Sequence, residues 1–367
     1  MLYRRGGTKK ADASRPETRR LREWYSAIIR VGNFQLMDET LLKRGARIVV
    51  KNWIKASQGE KICFVTSYRH EHECRLMMQA CTRRGAGAYL LPVMEEGIHV
   101  GDYFDENPTI FRPYDVIVGA TDYSIITTAA AETAIREGKR MLSLPLSTNN
   151  GQSMLEYDFM TMDVDEARIN AETAMGMIGK PSVIHVTTKA GTDMTFSMKN
   201  RAFTFFNGTF WPRHNFSSAS FEICIPIVED SAHGILVCDG SFGYIGKVQE
   251  PVRISFKNGR IVSIQDNSEG RRLQDYFDSY QDEEMYVAGE LGIGLNEKSR
   301  CAGECYIEDE STYGTFHIGV GRNIGIGGQH AASGHFDLVT WHPSIWFDGR
   351  KVMSEGSFLM PDDHFSF

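Results

Sequence analysis

Between residues 61 and 144 short apolar runs alternate with helical stretches, and this alternation leaves the chain few architectures. Lys61-Ile62-Cys63-Phe64-Val65-Thr66 reads as a buried strand, followed by a helix over 71–84 and a strand over 88–93. The plan repeats with a strand at 115–119, a helix at 127–137 and a strand at 140–144. Parallel neighbours must be joined by a long crossover, usually a helix, so this spacing predicts a parallel sheet with helices on its faces. No GxGxxG or Walker-type loop occurs in the stretch, and no nucleotide is implied. Ahead of it, residues 17–57 read as helical, with Leu21, Trp24, Tyr25, Ile28 and Val31 at helical spacing.

Beyond a linking helix at 163–177 the texture changes. Strand patterns at 182–188, 194–198, 223–228, 234–238, 252–256 and 261–264 are separated by turns, Lys257-Asn258-Gly259 closing a hairpin. The expected fold is α/β: an N-terminal parallel-sheet α/β domain over 1–160 and a C-terminal, mostly antiparallel β-rich (α+β) domain over 161–367. A length of 367 residues suits two domains with sizeable cores.

The formal charge of -7 argues against a nucleic-acid binder that works by neutralising phosphates. The basic residues Arg4, Arg5, Lys9, Lys10, Arg15, Arg19, Arg20 and Arg22 are confined to the N-terminus and read as a solvated arm or first helix. No run of 18 apolar residues is present, so no membrane span is expected, and the N-terminus has no apolar signal region. The seven cysteines are scattered and odd in number, which fits reduced thiols in a cytoplasmic protein. Cys301 and Cys305 lack a second close pair to complete a tetrahedral site and read as packing residues.

Chemistry gathers near the C-terminus. His335-Phe336-Asp337 on an extended strand would project its imidazole and carboxylate to one side, with Phe336 facing the core. With His317 they make a plausible three-ligand metal face that leaves positions open for a substrate. Glycines are dense from 289 to 334, and Glu290, Glu310 and Asp337 lie among those turns. Structural glycines would explain the turns but not the titratable residues gathered there.

Five segments, in order, resemble the thermophilic aminopeptidase T family of metallopeptidases over about residues 35–360. They are Gly191-Thr192-Asp193, Phe221-Glu222-Ile223-Cys224-Ile225-Pro226, Gly289-Glu290-Leu291, Phe316-His317-Ile318-Gly319-Val320-Gly321 and His335-Phe336-Asp337. The same superfamily includes the iron(II)-dependent 2,5-dihydroxypyridine 5,6-dioxygenases, whose metal is held by two histidines and one aspartate. The resemblance implies Glu222 and Glu290 as carboxylate ligands beside His317, His335 and Asp337. It also implies a homo-oligomer whose neighbouring subunits close each cleft. The chain departs from the peptidase pattern at Ile324, where the peptidases have a tyrosine, and at Thr312, where they have a general-base glutamate. The span from His317 to His335 is also short.

These departures favour a non-haem iron(II) dioxygenase that opens a small hydroxylated N-heteroaromatic such as 2,5-dihydroxypyridine, with dioxygen as co-substrate. The alternative is a divalent-metal aminopeptidase or amidohydrolase holding two zinc, cobalt or manganese ions. A second alternative is a metal-free binding protein on the same fold. For proton handling the candidates are His330 in a glycine loop, His214 after Trp211-Pro212-Arg213, and Glu310 in the acidic turn Glu308-Asp309-Glu310. Phe205, Phe206, Phe210 and Trp211 are candidates for a flat pocket.

Overall fold

Strands β1 (Lys61–Thr66), β2 (Gly87–Pro92), β3 (Val116–Ala120) and β4 (Arg140–Ser143) pair in parallel in the order β2–β1–β3–β4. All of β3 and all but the first residue of β1 are buried, as a sheet covered on both faces requires. The computed structural model describes residues 37–94, 100–212 and 214–359, and the chain from Asp38 onward packs as one unit. The basic segment and the start of the 17–57 helix lie outside the described residues. Within them, α1 (Glu39–Ile48) starts where Asp38 accepts amide protons from Thr40 at 2.7 Å and Leu41 at 3.2 Å. A π-helical turn at Val49–Trp53 then ends the helical stretch before residue 57.

Helices α2 (Glu71–Thr82), α3 (Asp102–Glu106) and α4 (Ala129–Arg136) complete the crossovers, and α5 (Val164–Ile178) leads into the second half. There β5 (Val183–Thr187), β6 (Asp193–Ser197) and β7 (Thr204–Phe206) belong to antiparallel sheets. Strand β8 (Phe216–Ser218) instead returns to the parallel sheet as its fifth member, beside β4.

The remaining strands are β9 (Glu222–Pro226), β10 (His233–Cys238), β11 (Ser241–Phe242), β12 (Gly246–Lys247), β13 (Val252–Lys257), β14 (Arg260–Ile264), β15 (Ala288–Gly294), β16 (Thr315–Gly321), β17 (His335–Trp341), β18 (Ser344–Phe347), β19 (Arg350–Ser354) and β20 (Ser357–Phe358). With α6 (Ser268–Ser279) and α7 (Tyr306–Ser311) they complete the fold. One sheet runs β14–β13–β10–β6–β5–β18–β19–β20, the other β12–β11–β17–β16–β15–β9–β7. The predicted architecture, a parallel α/β part followed by antiparallel sheets, is the one observed.

The antiparallel sheets share one core. Ile184, Val186, Met194, Phe196, Leu236 and Ile254 from the first sheet cluster with Ile223, Leu291, Ile293, Phe316, Ile318 and Phe336 from the second. Fully burying each such side chain contributes roughly 1.5–3 kcal/mol. Side chains alternate along a strand, so the residues between these on β9, β15, β16 and β17 must face the other way. That opposite face carries the chemistry. Among the described residues no helix is long and apolar enough to cross a membrane.

Candidate metal centre

Four adjacent strands, in the order β17–β16–β15–β9, bring the five predicted ligands onto one face. Glu222 comes from β9, Glu290 from β15, His317 from β16, and His335 and Asp337 from β17. Register fixes their spacing: Gly292 stands between Cys224 and His317, and Gly319 between Glu290 and Asp337. A bulge between Ala288 and Glu290 sets the phase of β15 against β16, a common device where a strand must aim a particular side chain.

The two glycines are what give the ligands room. A Cβ at Gly292 would lie 1.9 Å from His317 Nε2, and one at Gly319 would lie 2.8 Å from both His335 Nε2 and Asp337 Oδ1. Any side chain at either position would occupy the space the imidazoles and carboxylates use.

The ligand atoms form two overlapping groups, Glu222–Glu290–His317 and Glu290–His335–Asp337, each with its atoms within 4.8 Å of one another. Glu290 belongs to both. His317 Nε2 is 3.1 Å from Glu222 Oε2, 4.0 Å from Glu290 Oε1 and 3.8 Å from Asp337 Oδ1. His335 Nε2 is 3.1 Å from Glu290 Oε2 and 3.2 Å from Asp337 Oδ1. The face of His317, His335 and Asp337 expected from the sequence is therefore divided between two groups that a carboxylate joins.

Neighbouring groups hold the ligands in place. His335 Nδ1 donates to the Arg322 carbonyl at 2.9 Å, which leaves Nε2 to face the centre. The Tyr306 hydroxyl donates to Asp337 Oδ2, and Ser220 Oγ donates to Glu222 Oε1 at 2.6 Å. Neither Glu222 Oε2 nor Asp337 Oδ1 accepts a hydrogen bond, although both are buried.

The electrostatics ask for a cation. Burial disfavours charge on His317, but Asp337 and Glu222 outweigh it and raise its pKa to about 9. Burial opposes charge on His335 too, and Asp337 and Glu290 raise its pKa still more strongly. Asp337 stays ionised against its own burial because both imidazoles stand beside it. Burial pushes Glu222 up, and Glu310 is pushed up by burial and by the carboxylates of Glu222, Asp337 and Glu290. Two imidazoles whose Nε2 atoms face a cluster of carboxylates, two of whose buried oxygens accept no hydrogen bond, fit a divalent metal.

The centre opens into a cavity of about 480 Å³. Part of its wall is built at the carboxyl ends of parallel strands, where open α/β sheets commonly bind ligands: Tyr123 and Ser124 follow β3, Ser143 ends β4 and Ser218 ends β8. Tyr244, Tyr280 and Phe206 add rings.

Glu310 lines the cavity beside the candidate centre, but the acidic turn expected at 308–310 is a buried part of α7, where Glu308, Asp309 and Glu310 are all at most 5% exposed. His330 and His214 are not among the cavity-lining residues. His330 Nε2 donates to the Glu284 carbonyl at 2.8 Å, and exposed His214 pairs with Trp211 in a two-residue bridge. Of the aromatic block only Phe206 reaches the cavity. Phe205 stacks on Trp211 with ring centroids 4.5 Å apart, and Phe210 lies under Arg140.

Sequence reasoning missed Tyr306, Ser220 and Arg322, which lie off the ligand strands. It also missed the roles of Gly292 and Gly319, each two residues past a ligand on its own strand. That two-residue spacing was a usable signal.

The family model described as NicX: 2,5-dihydroxypyridine 5,6-dioxygenase matches residues 54–360. The chain belongs to this family. A curated 2,5-dihydroxypyridine 5,6-dioxygenase of Pseudomonas putida is 26% identical over 147 residues, which are 37% of this chain and 42% of that protein. The chain thus spans less than half the length of the curated relative it matches. The solved 2,5-dihydroxypyridine dioxygenase of Pseudomonas putida KT2440 superposes with a TM-score of 0.73 at 17% identity, covering 89% of this chain and 99% of that one. Wild-type AmpT from Thermus thermophilus superposes at 0.62 with 12% identity, covering 88% of this chain and 100% of that one. Both structural likenesses are of fold.

Proposed function

We propose that this chain is a metal-dependent dioxygenase that opens the ring of a small hydroxylated N-heteroaromatic such as 2,5-dihydroxypyridine, with iron(II) as the metal. The observation that carries the reading is the convergence of His317, His335, Asp337 and Glu290 on one buried centre facing a ring-walled cavity in a member of this family. Bound iron would supply electrons to dioxygen and an anchor for a ring hydroxyl.

The chain's own residues do the remaining work. Tyr306 fixes one oxygen of Asp337, which leaves the other available to hold a metal. The Arg322 carbonyl fixes the tautomer of His335. Tyr123, Tyr244 and Phe206 flank a flat ring, and Ser124 and Ser143, linked at 2.8 Å, offer hydroxyls to its polar edge. Glu310, buried in the wall, is the group to which we assign proton handling. Buried free thiols at all seven cysteines fit a reducing compartment such as the cytoplasm.

The test is oxygen uptake by protein loaded anaerobically with iron(II), given 2,5-dihydroxypyridine and then air. Stoichiometric oxygen consumption is expected, with loss of at least about 100-fold in Asp337→Ala. No uptake with any dihydroxypyridine would overturn the reading.

The shared carboxylate Glu290 favours a second reading, in which two divalent ions are bound and the chemistry is hydrolytic. Elemental analysis separates the two: one iron per chain supports oxygenation, and two zinc, cobalt or manganese ions support hydrolysis.

A further inference from the structure

The cavity is walled by carboxylates, hydroxyls and rings, and by one guanidinium. Arg322 is the only lysine or arginine among the described residues that line it. It directly follows β16, and its backbone is pinned beside a candidate ligand. Its carbonyl accepts from His335 Nδ1 at 2.9 Å, and its amide donates to the Gly334 carbonyl at 2.7 Å. Its side chain has no ion pair or hydrogen bond with any described residue, although the residue is half-buried and Nε is buried outright. Other sheltered arginines here are paired: Arg201 with Glu229 at 2.5 Å and Arg140 with Glu60 at 2.5 Å.

A sheltered guanidinium without an acceptor is a costly arrangement that an incoming anion relieves. Its planar fork matches a carboxylate, which takes two parallel hydrogen bonds. Elsewhere in the cavity an anion would meet the four carboxylates of the centre and those of Asp102, Asp105, Asp282 and Glu284. The wall therefore offers one favourable place for a negative group, next to the centre.

We propose that Arg322 receives a carboxylate carried by the substrate ring, so the preferred ligand is a ring-carboxylated hydroxy-N-heteroaromatic rather than the plain dihydroxypyridine. This rests on the ring-binding reading above and narrows its substrate class. The carboxylate at Arg322 orients the ring, and a hydroxyl on it points to the centre. A site built to bond such a group discriminates strongly against the analogue that lacks it.

The experiment is anaerobic calorimetry on iron-loaded protein with 2,5-dihydroxypyridine and its 3-, 4- and 6-carboxylated derivatives, followed by oxygen uptake with each. At least one carboxylated ring is expected to bind about tenfold or more tightly than the plain ring. In Arg322→Gln that preference collapses to about onefold. In Arg322→Lys, which keeps the charge without the fork, most of it is lost. The lysine variant carries the comparison if thermal melting shows that Arg322→Gln has not folded. Equal affinity for all four rings overturns the proposal, as does a preference that persists in the folded glutamine variant. If none of the rings binds, it is overturned together with the ring-cleavage reading. An Arg322-dependent preference without oxygen uptake leaves this proposal standing and removes ring cleavage. Oxygen uptake on the plain ring without any preference does the reverse.

Discussion

Replacing Gly292 with alanine is expected to strip the candidate centre of metal while leaving the strand that carries it in place. A Cβ there lies 1.9 Å from His317 Nε2, whereas ordinary contact starts at 3.4 Å, so the ring must retreat by about 1.5 Å. Metal–ligand distances tolerate only about 0.2 Å, so His317 is lost as a ligand. The backbone does not resist the change, because Gly292 is not among the residues with positive φ. Alanine within a strand is favoured over glycine by roughly 0.5–1 kcal/mol. Against this stands the His317–Glu222 pair at 3.1 Å, since breaking a buried pair costs roughly 3–5 kcal/mol when one charge is left stranded. Burial already raises the pKa of Glu222, so its carboxyl can become neutral, and the loss is smaller than that range. Metal content after dialysis against buffered free metal should show binding at least about 100-fold weaker, since outer groups alone are worth about 10–100-fold. His317→Ala should show the same loss, and the double variant no more, because both changes remove one ligand. Unchanged metal affinity in Gly292→Ala would refute the reasoning, and so would additive losses in the double variant.

Tyr306→Phe removes the hydrogen bond to Asp337 but keeps the ring against Tyr244, at 4.5 Å between centroids. Metal binding should weaken by about 10–100-fold with little change in melting temperature, and unchanged affinity would count against Tyr306 as the group that orients Asp337. A pH prediction concerns His70, between β1 and α2, whose Nε2 lies 2.5 Å from Asp122 and whose Nδ1 lies 3.6 Å from Glu73. Burial opposes its charge, yet the hydrogen bond to Asp122 and the neighbouring carboxylate of Glu73 raise its pKa from 6.5 to about 9. A raised pKa contributes stability that is complete below pH 6.5 and is lost as pH rises through about 9, an effect of up to roughly 3 kcal/mol. Denaturant melts at about pH 6, 8 and 10 should show that decline in the unmodified chain and a flatter profile in His70→Gln. Parallel profiles would dismiss the assignment.

The parallel sheet was legible because its strands are short apolar runs at crossover spacing, and only β8 escaped. That strand is three residues long, sits in a chain segment of antiparallel character and joins the sheet through tertiary pairing alone. Of the candidate ligands, His335 and Asp337 were legible from alternation along one strand and His317 from its glycine-rich surroundings, whereas Glu222 and Glu290 came from the family resemblance. What the sequence could not reveal was how Glu290 stands between the two histidines, since that depends on the register of β15 against β16 and on a bulge. His330 and His214 looked eligible in loops, but whether a loop histidine faces a cavity is decided by backbone paths with no local pattern. The segment 308–310 looked like a solvated turn because three acids in a row normally stay in water. Here they form a buried helix whose Asp309 accepts from the Gly303 amide and whose Glu310 backs the centre.

Alternation along the four ligand strands also separates fold from chemistry. Ile223, Leu291, Ile293, Phe316, Ile318 and Phe336 hold the shared core, while Glu222, Glu290, His317 and Asp337 point away from it. A substitution on the ligand face therefore leaves the core unchanged, and the fold can persist while its chemistry is rewritten. For that reason, superposition on a dihydroxypyridine dioxygenase at 0.73 and on AmpT at 0.62 does not choose between oxygenation and hydrolysis. The choice falls to groups that no core requirement retains: Glu222 and Glu290 beside the imidazoles, Tyr306 on Asp337, and the guanidinium of Arg322 in the wall. Substitutions at these positions should change the metal bound or the substrate accepted, with a loss of stability limited to what the stranded buried partner costs.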